Sequence, residues 1–561
     1  MKVKMKLKHR LTLFLVIVFA MSVCLAGCGS KTSSSTPSNG PGSDGSSSKT
    51  VAQPLTVGAP NGNWQDNFNP FSASAVYGTI GLIYQPLYVF STISHDEYPM
   101  LATKYEWIND NKTLEVTLRT GVKWSDGQPF TADDVLFTFN DELKKYPAAD
   151  TSGIMKVVKS VVKKSDNVVD FNFDQPNVPF QEYVLQAAIV PEHIWKSLGD
   201  PSKVNMTKPV GTGPYVLSNF TPQNYTMKKN TSFYDASNYA VPEINFKAYD
   251  SNESAQLALA SGQLDWAGMF IPNVDKVYTA KSKDYHYWFP PASPIILYPN
   301  LKNPLLKDVN VRKAISLAID RDKIVKQAEY GYANVSSPTG VQIPRDKDFI
   351  DPKYADLQYK QDTAGAEKIL QDAGYKKGSD GIYVSPSGKK LSFTLQVVSG
   401  WSDWITTCML ISQDLKKIGI DVKVQQPQYG AYQSNLQGGK FDLALSWTNP
   451  GATPYKTFKD MLSTSGGWNI EGWNDPTTEQ ALDQFKGTTD PAVQKAAMSK
   501  IEDVMVNQLP VLPIFYGETW YEYTTTHYTG WPDNDHQYDT PTVFNWPQAV
   551  VVIQHLKPVS K

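Results

Sequence analysis

The stretch Leu391–Gln425, LSFTLQVVSGWSDWITTCMLISQDLKKIGIDVKVQ, decides the fold. Leu391 to Val398 reads as a strand, Ser402 to Lys417 as a helix ended by Gly419, and Ile420 to Gln425 as a second strand. A strand, a crossover helix and a strand form a βαβ unit, and the right-handed crossover makes the strands parallel. Phe441 to Trp447, FDLALSW, is one more buried strand. In open α/β sheets the ligand crevice lies beyond the carboxyl ends of the strands. Trp401 follows the first strand and Trp447 closes the last, so these ends are the first place to look for a site.

Working outward, Val311 to Ile319 reads as a helix, and so does Thr363 to Asp372, stopped by Gly374. Nearer the start, Leu114 to Arg119 alternates like a strand. Thr131-Ala132-Asp133-Asp134 has the form of a capping box opening a helix over Val135 to Lys145. Met155 to Phe173 reads as a hairpin turning at Ser165-Asp166-Asn167. No short-period repeat is present, and the folded body is expected to begin near Val51.

The N-terminus has another character. Lys2, Lys4, Lys6, Lys8 and Arg10 precede the apolar run Leu11 to Val23, which is too short for a comfortable spanning helix and reads as a secretion signal. Small residues lead to Cys28 in Leu25-Ala26-Gly27-Cys28. The 22 residues Gly29 to Thr50 are Ser- and Gly-rich, a flexible coil with a reach of about 25 Å. The expected order is a signal at 1–27 and a tether at 28–50.

The chain has 561 residues, 41% hydrophobic and 12% aromatic, enough for at least two domains. Removing the signal deletes five basic and no acidic residues, leaving a net charge of about −7, which argues against nucleic acid as a partner. Of three cysteines, Cys24 falls in the signal and Cys28 at its end, so Cys408 has no internal partner and reads as a core filler. The seven histidines lack zinc spacing, and no Walker loop, GxGxxG or GxSxG occurs. SxxK at Ser160 to Lys163, followed by Ser165-Asp166-Asn167, is the pattern of the penicillin-binding enzymes, but it falls inside one hairpin and no KTG strand accompanies it. No metal, no cofactor and no enzymatic activity are expected.

Several segments together resemble one family. Leu118 to Val135, LRTGVKWSDGQPFTADDV, is similar to the signature of the family 5 solute-binding proteins of bacterial ABC importers. Pro209 to Tyr215 (PVGTGPY), Ser261 to Trp266 (SGQLDW), Asp308 to Arg321 (DVNVRKAISLAIDR), Phe441 to Trp447 and Leu509 to Tyr516 (LPVLPIFY) follow in the family's order. The small residues before Cys28 resemble a lipobox. The resemblance implies a lipoprotein on the outer face of the cell membrane, anchored through Cys28. It also implies an α/β, two-lobed, periplasmic-binding-protein-like fold of type II, in the large cluster with an extra subdomain. Two hinge strands would join lobe I, at 51–289 and 517–561, to lobe II at 290–516. Implied partners are a small solute and the ABC permease, with the protein acting as a monomer.

The resemblance leaves the ligand open. Peptide receptors of the family place an aspartate a few residues after the tryptophan equivalent to Trp447, where it pairs with the ligand's α-ammonium. Here Trp447 to Tyr455 reads WTNPGATPY, without a carboxylate. An unpaired buried ammonium costs several kcal/mol. Flat aromatic faces and the neutral amide of Asn449 suit sugar rings. Family numbers favour an oligopeptide, while the missing acid favours an oligosaccharide. The candidate ligand-binding residues are Trp447, Asn449, Trp401, Tyr455, Trp266, Phe270, Trp64 and Tyr429.

Overall fold

The βαβ unit forms where the sequence places it. Strand Ser392–Gln396 pairs in parallel with Asp421–Gln425, and helix Ser402–Lys417 connects them. The computed structural model describes residues 52–559 except 61, 62, 73, 428, 544–546 and the side chains of 429 and 430. The expected signal, Cys28 and the tether lie outside the described residues.

The unit belongs to a five-stranded sheet in the order Asp421–Gln425, Ser392–Gln396, Leu443–Ser446, Pro291–Pro299, Leu512–Glu518. Leu443–Ser446 is parallel to Ser392–Gln396, and Pro291–Pro299 is antiparallel to both its neighbours. Successive residues of this sheet serve opposite cores. Ile295 and Leu297 pack with Ile315 and Cys408, while Ile296 and Tyr298 pack with Phe458 and Met498. A strand covered on both faces reads as a continuous apolar run, as IILY and LALS do.

A seven-stranded sheet runs Tyr285–Tyr287, Glu522–Thr524, Trp266–Ala267, Leu55–Ala59, Glu243–Ala248, Asn224–Lys229, Tyr215–Thr221. The chain passes between the two large sheets twice, from Tyr287 to Pro291 and from Glu518 to Glu522. The two passages are bonded to each other: Thr519 N–H donates to the Pro290 carbonyl (3.0 Å) and Trp288 N–H to that of Tyr521 (3.1 Å). A four-stranded antiparallel sheet, Ala102–Ile108, Thr113–Leu118, Val168–Phe173, Val158–Ser165, carries a separate core. The hairpin and its SxxK and SDN triplets lie in this sheet.

The family-like segments have structural reasons. Asp134 accepts Thr131 N–H at 2.9 Å, closing the capping box, and also takes Glu192 N–H at 3.0 Å. The helix so opened, Ala132–Leu136, continues as a wider helix over Phe137–Leu143. In PVGTGPY the backbone of Gly213 lies so close to residues 82 and 83 that a Cβ there would meet the Leu82 carbonyl oxygen at 2.1 Å. Only glycine fits. Arg312 of the VRKAISLA helix is buried without an acid. Its guanidinium donates to the carbonyls of Leu306, Lys307, Gln508 and Leu509 at 2.7–2.8 Å, closing the end of helix Pro491–Gln508.

Candidate functional site

Because Ser392–Gln396 and Leu443–Ser446 run parallel side by side, their carboxyl ends leave the sheet on one edge. That edge brings Trp401 and Trp447 together, with ring centroids 6.0 Å apart. Two tryptophans not singled out from the sequence join them. Trp404 lies 5.0 Å from Trp401 and 6.2 Å from Trp447, and Trp468 stacks on Trp447 at 5.2 Å and 24°. Trp404 was within reach of sequence reasoning, since i and i+3 share a helix face. No local signal marks Trp468. Trp401 is 37% exposed, so part of its apolar surface reaches solvent at this edge.

Asn449 lies just beyond, half-buried. Its Nδ2 is 3.5 Å from Asp460 Oδ2, and its carbonyl accepts the Thr457 hydroxyl at 3.0 Å. Asp460 is also bound by Lys459 Nζ at 3.1 Å. Tyr455 is buried and stacks on Phe485 at 5.4 Å, a core position. Tyr429 starts helix Tyr429–Gln437, and its side chain lies outside the described residues.

Three other candidates stand apart. Trp64 meets Tyr77 and Tyr225 edge-on at 4.9 and 5.3 Å, and Trp266 meets Trp531 at 5.7 Å. Both belong to the core of the seven-stranded sheet, Trp266 at 1% exposure, and neither offers a free ring face in this structure. Aromatic density in the sequence does not separate a core ring from a platform. Phe270 is half-buried and lies at the passage between the sheets, 5.3 Å from Trp520 and 5.8 Å from Tyr330. Trp520 in turn packs edge-on against Phe289 at 4.9 Å.

A second set of contacts crosses from the segments around Thr92 and Glu182 to those around Arg345 and Gly451. Arg345 is buried beside Asp346 and donates Nη1 to the Thr92 carbonyl at 3.0 Å and to the Gly451 carbonyl. The His95 ring nitrogens lie 3.1 Å from the Arg345 carbonyl oxygen and 3.3 Å from that of Ala452. Glu182 accepts Ala452 N–H at 2.8 Å and faces Lys456 at 3.6 Å. Burial, then the charges of Asp460 and Glu182, push the Tyr183 phenol well above its ordinary range. Glu182, Tyr183 and Lys456 also line a cavity of about 220 Å³ with Phe71 and Asp150. Among the described residues no group of three or more His, Cys, Asp or Glu is placed to hold a metal ion.

The family model of the bacterial extracellular solute-binding proteins, family 5, matches residues 97–469. The chain belongs to this family. It is therefore a binding component of transport rather than an enzyme. The Bacillus subtilis oligopeptide-binding protein AppA is 28% identical over 79% of this chain and 82% of its own length. Oligopeptide-binding protein OppA of the same organism is 26% identical, covering 91% and 94%. Among solved structures, the Thermotoga maritima periplasmic oligopeptide-binding protein with mannohexaose bound is 29% identical, covers 91% of this chain and 99% of its own, and has a TM-score of 0.80. The fold is accordingly the α/β fold of the periplasmic binding proteins. No helix among the described residues is long and apolar enough to cross a membrane.

Proposed function

We propose that this chain is the lipid-anchored receptor of an ABC importer. It captures an oligopeptide or similar small solute between two lobes and hands it to the membrane permease. Lobe I comprises 51–289 and 517–561, lobe II comprises 290–516, and the two passages at the sheets form the hinge. The observation that carries the reading is the pair of hydrogen-bonded crossings, at Tyr287–Pro291 and Glu518–Glu522, set between two large sheets. Two short connections permit rotation of one sheet against the other while keeping them in register.

Closure requires a solute that binds the closed form better than the open one. Trp447, Trp401, Asn449 and Phe270 supply the solute face. The contacts of Arg345, His95 and Glu182 hold the lobes together around it. Cys28 and the coil behind it would keep the monomeric body near the outer membrane face, within reach of the permease.

The peptide reading draws on the oligopeptide-binding relatives. A second reading, an oligosaccharide, is favoured by the lack of a carboxylate from Trp447 to Tyr455, by the neutral amide of Asn449, and by the mannohexaose held by a relative of 29% identity. Mass spectrometry of small molecules that co-purify with the protein tests both. Recovery of peptides supports the first and recovery of glycans the second. A titrated candidate solute recovered chemically changed would contradict the receptor role.

A further inference from the structure

Three carboxyl side chains from distant parts of the chain converge beside the aromatic edge. Glu329 is 0% exposed; its Oε1 takes the Thr407 hydroxyl at 3.4 Å and its Oε2 has no hydrogen-bond partner. Asp403 lies one turn before Thr407 on the same face of helix Ser402–Lys417. Glu518 ends the strand Leu512–Glu518, and its buried Oε1 also lacks a partner. Tyr516 N–H, two residues back, donates to the Asn334 carbonyl at 2.9 Å, which ties this strand to the chain that follows Glu329.

Among the described residues no cation is paired with these groups. Arg321, on the neighbouring helix, donates to the carbonyls of Pro513 and Ser316 and lies over the Tyr359 ring at 3.4 Å. Lys323 and Lys417 are both on Asp414. Burial pushes all three carboxyls upward. The charge of Asp403 adds to Glu329, and those of Glu329 and Asp403 add to Glu518. Asp460, the acid nearest Asn449, differs in being already bound by Lys459.

Along the chain the three acids flank both aromatic groups. Asp403 is two residues from Trp401, Glu518 two from Trp520, and Glu329 directly precedes Tyr330. Tyr330 is 45% exposed at the left-handed φ of 53°, a conformation unusual for a tyrosine, and its ring meets Phe270. Buried carboxyl oxygens without partners, as on Glu329 and Glu518, are costly, and such arrangements concentrate at functional sites. An ammonium offers three donors and no acceptor, matching three carboxyls, and aromatic rings beside it add attraction.

We propose that Glu329, Asp403 and Glu518 form the seat for a primary ammonium on the captured solute, replacing the acid missing after Trp447. The proposal rests on the solute-capture reading. Burial raises all three carboxyls, so entry of the ammonium is expected to release protons and affinity to rise with pH.

The test uses calorimetry of the purified protein with an equimolar tetrapeptide library, free and N-acetylated. A chitosan tetraose and its N-acetylated counterpart supply the ammonium from a sugar. Free-amine probes are expected to bind at least tenfold more tightly than their acetylated forms. They should release protons, read from the dependence of the heat on buffer ionisation, and D403N and E518Q should each weaken them at least tenfold. Equal binding after acetylation, or no proton release, overturns the seat. A neutral mannotetraose that binds and closes the lobes without proton release removes the seat and keeps the solute receptor. Failure of every probe to bind removes both. E329Q gives a readout without any probe: it should raise the melting temperature at pH 8, whereas a fall there marks a purely structural network.

Discussion

Trp401 and Trp447 follow different strands, yet their rings lie 6.0 Å apart because those strands leave the same sheet edge in parallel. Trp447 stacks on Trp468 and meets both Trp401 and Trp404. Truncating Trp447 to alanine should weaken a stacking solute by about 1–3 kcal/mol, read by titration calorimetry. Unchanged affinity would place the solute elsewhere.

Glu182 acts at a distance from that edge. Its carboxylate takes Ala452 N–H and faces Lys456, contacts that only the closed arrangement provides on the proposed reading. Glu182→Ala is expected to reduce solute affinity by about 1–3 kcal/mol, the range for leaving a buried donor unanswered. Dissociation should speed up more than association slows, measured by stopped-flow tryptophan fluorescence.

Arg312 tests the scaffold alone. Arg312→Met leaves four carbonyls without their donor, two of them fully buried. About 3 kcal/mol or more of stability should be lost, in line with about 1–3 kcal/mol for each buried group left unsatisfied. Chemical denaturation reads the loss, and the affinity of the folded fraction should stay the same.

Stability should fall at both ends of the pH range, for separate reasons. Burial pushes the Glu502 carboxyl up to about 7, above the ordinary value near 4.3. The folded state thus holds this proton more tightly than the unfolded one. That contribution is complete below pH 4 and is lost as pH rises through 7. Asp414 has the opposite sign. Burial alone would raise it, but Lys323 at 2.6 Å, Lys417 at 2.8 Å and Asp320 N–H outweigh burial and hold it below the ordinary range. Its contribution is present above pH 4 and is lost as pH falls through its lowered value. Glu502→Gln should raise the melting temperature at pH 8 and leave it nearly unchanged at pH 3. Asp414→Asn should lower it at pH 7 and have less effect near pH 2.

The sequence carried the parts of the fold that depend on local period and stop signals. Helices Thr363–Asp372 and Ser402–Lys417 have the limits read from the sequence, and the capping box at Thr131 opens its helix as expected. Strand ends shift by a residue or two, since pairing rather than composition sets them. Trp401 and Trp447 were legible because strand order dictates where carboxyl ends go. Trp64, Trp266 and Tyr455 were not separable from them, because a ring's neighbours come from residues far away in the chain. Glu329, Asp403 and Glu518 gave no sequence signal for the same reason.

The central claim is that two lobes close on a solute. The most direct measurement is energy transfer between dyes on cysteines placed at Leu257 and Met409, both exposed and on opposite sides of the passages, with Cys24 and Cys28 replaced by serine. Buried Cys408 stays unlabelled. Saturation with a bound solute is predicted to move the dyes to a single, changed distance with the solute recovered intact. A distance that does not respond to a saturating solute would contradict the account.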